Sequence, residues 1–240
     1  MANHPRYAIY YAAPPDSALG WLGASLLGYD AYTGDDLPFP DVVKQTVPNW
    51  RDLTQFPRKY GFHATLKAPM VLASGTTEAQ LVTACESFAD GVRPIPLIKP
   101  VVDSISGFIA VIPEQPSVEL QQLATDCTRA FDSFRAPLAP KDRARRNPDR
   151  LTPRQREYLD RWGYPYVMEE FRFHMTLTGK LPEDDRKLVL PMLRERFSEI
   201  NCELLPVDRI ALFRQDGPDS RFRIVEHFPL NRLCQEARYV

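Results

Sequence analysis

The sequence carries almost no net charge and few cysteines. Its 30 Lys and Arg residues nearly balance 31 Asp and Glu residues, which leaves a formal net charge of −1. A chain this close to neutrality lacks the excess positive charge that holds a long nucleic acid. Its four cysteines show no Cys-x-x-Cys spacing and no Cys/His cluster, so neither a zinc site nor a disulfide framework is indicated. The thiols are expected to be reduced, as in a cytoplasmic protein.

Long apolar runs are also missing. No stretch approaches the length that spans a membrane, and the first residues, MANHPR, lack the apolar core of a secretion signal. With 240 residues, of which 44% are hydrophobic, the chain can nevertheless bury a full core. We therefore expect a cytoplasmic monomer that has no membrane partner.

The most informative feature that is present is a repeated motif. The tetrapeptide His-x-Thr-Leu occurs twice behind a phenylalanine, once as FHATL and once as FHMTL, and these copies hold two of the four histidines. Successive side chains of a strand point to opposite faces. His63 would therefore share a face with Thr65, and His174 with Thr176, while the apolar neighbours would point into a core.

The residue types in the motif suit phosphate chemistry. A histidine titrates near neutral pH, so one imidazole can act as a base while the other acts as an acid. A threonine hydroxyl can donate a hydrogen bond to an anionic oxygen. We expect His63 and His174 to be the acid–base pair, and Thr65 and Thr176 to hold phosphoryl oxygens. One copy alone would be weak support, since strand histidines are usually structural, but two matching copies favour a functional role.

At these motifs the chain resembles the two-histidine (2H) phosphoesterase superfamily. Its members carry two His-x-Thr/Ser motifs on strands that line a cleft between two pseudo-symmetric lobes. The resemblance is closest to a branch found beside phosphonate-degradation genes, and it extends from RYAIYY through YGFHATLK to FRFHMTLTG. It implies a phosphodiesterase that needs neither metal nor cofactor and hydrolyses a small cyclic phosphate or related phosphodiester in phosphonate metabolism.

Two alternatives to this function remain open. The first is an RNA 2′,3′-cyclic phosphodiesterase or 2′-5′ ligase-type enzyme, for which a nucleic acid would be the partner. The near-neutral charge makes that partner less favoured than a small phosphorylated substrate. The second is a protein that binds a phosphorylated ligand without turnover. Binding alone does not require two groups suited to proton transfer, so the intact motif pair favours the enzyme.

The order of predicted elements is similar in the two halves of the chain. In each half a motif strand is followed by a helix and then by two strands, with the halves covering about residues 6–115 and 116–240. These two strands are predicted at 96–104 and 107–113 in the first half and near 203–214 and 221–227 in the second, where the stretch 215–220 predicts a hairpin. Together with the resemblance, this order predicts a single α+β domain. It would consist of two pseudo-symmetric lobes of mainly antiparallel sheet, with helices on the outer faces and a central cleft.

Several helix starts are visible in the sequence. Asp16 or Ser17 can cap a helix that ends near residue 27, and capping boxes begin at Thr77 and Thr152. Two glycines weaken the first helix unless something packs closely against them, namely Gly20 and Gly23. The stretch 29–58 is rich in Pro, Gly and Asp and predicts a long surface loop with one short helical piece.

Two cationic side chains near the motifs are further candidates for phosphate binding. Lys67 lies two residues after Thr65, so it would share the face of His63 and meet a phosphate, or it would lie at the strand end in solvent. Arg172 lies two residues before His174 and would share its face.

The densest basic run, 141–150, has two readings as well. It is either a solvated loop, as charge runs usually are, or an arginine-bearing flap that supplies a second phosphate site over the cleft. Aromatic residues that follow could stack on a ligand, although packing of the loop against the body is the more ordinary role: Tyr158, Trp162, Tyr164 and Tyr166. The remaining histidines, His4 near the terminus and His227 in the last strand, are not expected to be catalytic.

Overall fold

Nine strands form two antiparallel sheets within residues 5–231, the part of the chain that the computed structural model describes. Residues 1–4 and 232–240 lie outside this part, and with them the predictions on His4 and on the thiol of Cys234. The strands are β1 (Arg6–Tyr11), β2 (Ala64–Val71), β3 (Leu97–Ile98), β4 (Pro100–Ile105), β5 (Phe108–Pro113), β6 (Met175–Thr176), β7 (Leu205–Pro206), β8 (Arg209–Gln215) and β9 (Arg223–Pro229).

The helices begin where the sequence predicts. Ser17, rather than Asp16, caps the first helix by accepting a hydrogen bond from the Gly20 N–H at 3.0 Å. Both capping boxes, at Thr77 and Thr152, are formed. The described α-helices are α1 (Ala18–Leu27), α2 (Asp41–Thr46), α3 (Trp50–Leu53), α4 (Gln55–Arg58), α5 (Glu78–Asp90), α6 (Val118–Ala130), α7 (Pro140–Ala144), α8 (Pro153–Trp162) and α9 (Glu183–Ser198). The stretch 29–58 thus holds three short helices instead of one.

The larger sheet places the motif strands side by side at its centre. Its seven strands run in the order β4-β5-β6-β2-β1-β8-β9, and each pair of neighbours is antiparallel. The predicted α+β class and the mainly antiparallel sheet are therefore confirmed. The hairpin of β8 and β9 also lies where the sequence predicts it.

The two sides of this sheet do not follow the two halves of the chain. The side with motif strand β6 takes β4 and β5 from the first half, and the side with motif strand β2 takes β8 and β9 from the second half. The boundary predicted near residue 115 therefore divides the chain but not the sheet. Motif strand β6 lies between two strands of the first half, β5 and β2, and motif strand β2 lies between β6 and β1.

Two strands expected to be continuous are interrupted. The predicted strand 96–104 is split into β3 and β4, and the predicted strand 203–214 is split into β7 and β8. The short pieces β3 and β7 pair with each other in a separate two-stranded sheet. Pro100 begins β4 and Pro206 ends β7. Proline has no N–H to donate to a ladder, so it stands where pairing begins or stops.

Two apolar clusters cover the sheet. The larger lies between the sheet and helices such as α1, α5, α6 and α9, and it contains the apolar side chains of both motifs: Phe62, Ala64, Leu66, Phe173, Met175 and Leu177. The alternation predicted for the motif strands is confirmed by this burial. Fully burying a Leu, Met or Phe side chain contributes about 1.5–3 kcal/mol, so the dry face fixes the strand's orientation. A smaller cluster lies around Tyr10, Phe213 and Phe222.

Among residues 5–231, every helix is too short or too polar to cross a lipid bilayer.

Candidate active site

The pairing of β2 with β6 brings the two motifs together. Ala64 is the antiparallel partner of Met175. In that register His63 lies next to Thr176, and Thr65 lies next to His174. Side chains that are opposite each other in an antiparallel pair lie on the same face of the sheet. The four polar motif side chains therefore form one cross-strand quartet, with the buried apolar residues behind it.

The two imidazoles are held by the same hydrogen bond. Nδ1 of His63 lies 2.8 Å from the carbonyl oxygen of Gly61, and Nδ1 of His174 lies 2.7 Å from that of Arg172. A carbonyl oxygen can only accept, so Nδ1 carries a hydrogen in both rings and Nε2 remains for chemistry. Gly61 has a φ of 74°, a left-handed conformation that glycine adopts without strain.

Both imidazoles favour the neutral form. Burial lowers the pKa of His63 to about 4, against the opposing effect of the Gly61 carbonyl, and the nearby His174 lowers it further. Burial also lowers the pKa of His174, against the effect of the Arg172 carbonyl. At neutral pH either Nε2 can therefore accept a proton. An anionic ligand would favour protonation of one ring and so create the acid.

Tyr10 supports the His63 side of the quartet. Its ring stacks on the His63 imidazole with centroids 4.0 Å apart, and it pairs across β1 and β2 with Thr65. Thr65 Oγ1 in turn lies 3.4 Å from His63 Nε2, a long contact. No motif in the sequence predicts this role of Tyr10. The only signal for it was its place between Ala8 and Ala12 on one face of an aromatic strand.

A cleft of about 450 Å³ opens beside the other half of the quartet. Thr65 and His174 line it, together with Arg172 and Lys180. Neither of these two cations forms an ion pair with another residue of the described range 5–231, so both can meet an anion. Arg172 therefore lies where the sequence predicts it, and Lys180 was missed. His63 and Thr176 adjoin this cleft through the quartet without forming its wall.

Lys67 is not brought to the cleft. The register shifts between Tyr10, which pairs with Thr65, and Ile9, which pairs with Lys67, so one extra residue on β2 breaks the alternation. Lys67 consequently lies on the side of Ile9 and is 3% exposed. Its ammonium group donates to Asp132 at 2.6 Å and to a main-chain carbonyl of α6 at 3.2 Å. Both readings of the sequence, phosphate contact and solvent exposure, are corrected by this buried ion pair.

The basic run 141–150 is partly anchored. Arg143 pairs with Asp160 on α8, and Arg145 pairs with a neighbouring aspartate. Arg146 instead places its guanidinium over the ring of Tyr164, 4.9 Å from the centroid. Tyr164 and Tyr166 line the cleft, whereas the buried Tyr158 donates its hydroxyl to Glu169 at 2.5 Å and has a packing role. His227 is exposed on β9, as expected.

Residues 5–231 contain no group of three or more His, Cys, Asp or Glu side chains that could hold a metal ion.

The chain belongs to a family described as "Protein of unknown function (DUF1045)", whose family model matches residues 65–223. Two curated relatives are both named "Ribose 1,5-bisphosphate phosphokinase PhnN". The protein of Janthinobacterium sp. (strain Marseille) is 33% identical over 238 residues, which cover 97% of this chain and 52% of the relative. The protein of Laribacter hongkongensis (strain HLHK9) is 33% identical over 220 residues, covering 91% and 50%. The chain thus spans about half the length of these relatives.

Similar solved structures include a phosphoesterase and E. coli LigT complexed with ATP. The first is 15% identical, with 96% of this chain and 100% of the other covered and a TM-score of 0.40. The second is also 15% identical, with 96% and 100% covered and a TM-score of 0.39.

Proposed function

We propose that this protein is a metal-independent phosphoesterase that hydrolyses a small cyclic phosphate or a related phosphodiester. The cross-strand quartet carries the proposal. Two imidazoles, each oriented through Nδ1 by the carbonyl two residues before it, stand beside two threonine hydroxyls on one face of the sheet. Orientation of both rings by main-chain acceptors is what proton transfer at a fixed point requires.

In the proposed reaction the two histidines act in opposite senses. Nε2 of one neutral imidazole takes a proton from water as the water oxygen forms a bond to phosphorus. Nε2–H of the other, protonated imidazole gives its proton to the leaving oxygen as the second P–O bond breaks. Thr65 and Thr176 donate hydrogen bonds to the non-bridging oxygens, where charge develops. Exchange with solvent restores the starting protonation states. The two rings can exchange roles if the direction of attack is reversed.

The charges around the cleft support an anionic substrate of modest size. Arg172 and Lys180 provide positive charge on the His174 side, although the chain as a whole has a formal net charge of −1. A local cationic site in a near-neutral protein favours a small anion over a long polyanion.

The names of the curated relatives support a phosphorylated sugar and a role in phosphonate metabolism. They refer to ribose 1,5-bisphosphate, and the chain matches about half of each relative. The kinase activity in those names is not part of the proposal. A phosphate-binding loop of the form G-x-x-x-x-G-K-[ST] occurs nowhere in the 240 residues.

The proposal is tested by turnover in excess EDTA. The panel contains 2′,3′-cyclic nucleotides, a ribose cyclic phosphate and an RNA oligomer with a cyclic phosphate end. Each compound is incubated with the wild type and with the double variant His63→Ala/His174→Ala. We expect cleavage of a small compound by the wild type and none by the double variant. Equal cleavage by both proteins would exclude the two-histidine mechanism.

The same panel separates the alternatives. Preference for the RNA oligomer, with binding that weakens steeply as salt is raised, would support an RNA-processing enzyme. Absence of turnover combined with a ligand-induced rise in melting temperature would support a binding protein.

A further inference from the structure

Arg146 is a third cation near the proposed active site, beside Arg172 and Lys180, that has no charged partner within residues 5–231. Within the basic run, Arg143 pairs with Asp160 and Arg145 with Asp142. The guanidinium of Arg146 forms neither an ion pair nor a hydrogen bond with any residue in the range 5–231, and it lies over the Tyr164 ring at 4.9 Å. A guanidinium that lies over an aromatic face keeps its N–H groups in its own plane, where they can donate hydrogen bonds to an oxyanion.

The hydroxyl of Tyr10 is also available for a ligand. The residue as a whole is 1% exposed, and its phenolic oxygen makes no hydrogen bond with another residue in the range 5–231. This oxygen is not fully enclosed, since Arg214 Nε is the fully buried side-chain atom of this range that has no hydrogen bond. A phenolic O–H that reaches open space can donate to an anionic ligand. The Tyr10 ring lies against His63, with centroids 4.0 Å apart, so this hydroxyl belongs to the immediate surroundings of the quartet.

Geometry places the phenol and the guanidinium at neighbouring parts of the site, since Tyr10 stacks on His63, and Arg146 lies over Tyr164, which lines the cleft with His174. Burial raises the pKa of Tyr10 well above its usual value, the neighbouring Tyr60 and Tyr164 raise it further, and Arg6 and Arg146 oppose this. Tyr164 lines the cleft with His174, while Tyr60 lies 5.9 Å from the His63 ring. Arg6 is already engaged, since its Nε donates to Gln215 at 2.8 Å. Arg146 is thus the available cation on this side.

We propose that Arg146, together with the hydroxyls of Tyr10 and Tyr164, binds a second phosphate group of the substrate. This inference rests on the proposed function, because the first phosphate is the one held by the histidine–threonine quartet. It narrows the substrate class to small phosphodiesters that carry a further phosphate. Hydroxyls and a guanidinium are all donors to a phosphate oxygen, and a dianionic phosphate provides enough acceptors for the three.

The test compares the binding of one and two phosphates. Ribose 5-phosphate and ribose 1,5-bisphosphate are titrated into the wild type and Arg146→Gln, and affinity is measured by calorimetry in the absence of phosphate buffer. These monoesters have no diester bond to hydrolyse, so binding is read without turnover. We expect the wild type to bind the bisphosphate at least about tenfold more tightly, since a charge-assisted contact of this kind is typically of that size. In Arg146→Gln the ratio should fall to about 1–2.

Three further variants make the result specific. Arg145→Gln changes an equally exposed arginine of the same segment that is paired with Asp142, and it should keep the full ratio. Arg146→Lys keeps the charge but loses the planar guanidinium, so an intermediate ratio is expected. Tyr10→Phe keeps the ring against His63 and removes only the hydroxyl. It should lower the ratio of the two affinities about threefold, as loss of one hydrogen bond typically does.

The inference is contradicted if the wild type does not distinguish the two ligands, if neither binds, or if Arg146→Gln keeps the wild-type ratio. Its failure is distinguishable from failure of the proposed function. If turnover requires both histidines but the protein shows no preference for the bisphosphate, the second phosphate site is contradicted and the phosphoesterase activity is supported. If the preference depends on Arg146 but no diester is turned over, the second phosphate site is supported and the phosphoesterase activity is contradicted.

Discussion

At the scale of single residues, the two histidines have the same main-chain hydrogen bond but different aromatic neighbours. Each donates Nδ1–H to the carbonyl two residues earlier, yet His63 stacks on Tyr10 whereas His174 lies against Phe108 at 5.4 Å. Strand periodicity predicts which motif side chains share a face. It does not predict the main-chain acceptors, because the segments before β2 and β6 are not regular strand.

His63 should make stability depend on pH. Its pKa is about 4 in the folded protein and about 6.5 in an unfolded chain. Above pH 6.5 the ring is neutral in both states. As the pH falls from 6.5 to 4, the unfolded state takes up the proton first, so the free energy of unfolding should decrease. Urea denaturation across this range should show a shallower decrease for His63→Gln than for the wild type. Parallel curves would show that His63 is not held neutral.

At the scale of elements, helix α1 holds the first motif strand through a glycine. A Cβ added at Gly23 would lie 2.0 Å from Cδ1 of Phe62, the residue before His63. The Cβ of any other residue would force the helix or the motif apart. A glycine inside a helix predicts a closely packed partner that compensates for its low helix propensity, and the contact with Phe62 confirms this prediction. The identity of the partner could not be read from sequence because Phe62 lies 39 positions away in the chain, beyond any local pattern.

Gly23→Ala should therefore damage both stability and turnover. We expect a loss of about 1–3 kcal/mol in the free energy of unfolding, as is usual for overpacking, with a lower kcat because His63 is displaced. Gly91→Ala is a control with milder contacts, since its added Cβ would lie 3.0 Å from the end of the Arg93 side chain and 3.3 Å from the Phe88 carbonyl oxygen. Equal stability and kcat for the two variants would contradict this role of Gly23.

The ion pair of Lys67 and Asp132 connects strand β2 to the end of α6. Burial lowers the pKa of Lys67, and the hydrogen bond to Asp132 opposes this effect. Asp132 has a lowered pKa because hydrogen bonds from Arg135 and Lys67 outweigh its own burial. Sequence periodicity placed Lys67 on the wrong face because it assumed a regular strand. Between the pairs Tyr10–Thr65 and Ile9–Lys67, strand β2 has one residue more than β1. No residue type in the motif predicts such a bulge.

Removing Asp132 should lower the free energy of unfolding more than replacing the Lys67 ammonium group by an uncharged side chain. Asp132→Ala leaves a buried ammonium group and should lower the free energy of unfolding by about 3 kcal/mol. Lys67→Met fills the same space without a charge and should cost less. Chemical denaturation of both variants gives the comparison. A larger loss in Lys67→Met would show that the lysine has another role.

At the scale of the whole molecule, the larger sheet combines strands from both halves of the chain. The repeat of motif strand, helix and two strands is present in both halves, and it correctly indicates an α+β fold with the motifs together. Strand exchange between the halves was not predictable, because pairing between distant strands depends on the complete core and not on local periodicity. The sequence could therefore identify the quartet while leaving open which strands surround it.

This arrangement predicts that the halves do not fold separately. Residues 1–115 contain β1 and β2 but lack β6 and β8, their neighbours in the sheet, and residues 116–240 lack β1, β2 and β5. Each fragment expressed alone should give a poorly dispersed NMR spectrum, and mixing them should restore dispersion. A folded 1–115 fragment would show that the first half forms an independent lobe.

In the proposed reaction, two oriented histidines perform acid–base chemistry on a phosphodiester. The most direct measurement is kcat in excess EDTA for the wild type, His63→Ala and His174→Ala, on the preferred compound of the panel, with ligand affinity measured in parallel. We expect each substitution to reduce kcat by at least about 10²-fold while affinity changes little, because general acid and base contributions are typically 10²–10⁴-fold. Unchanged turnover in His174→Ala would contradict this mechanism.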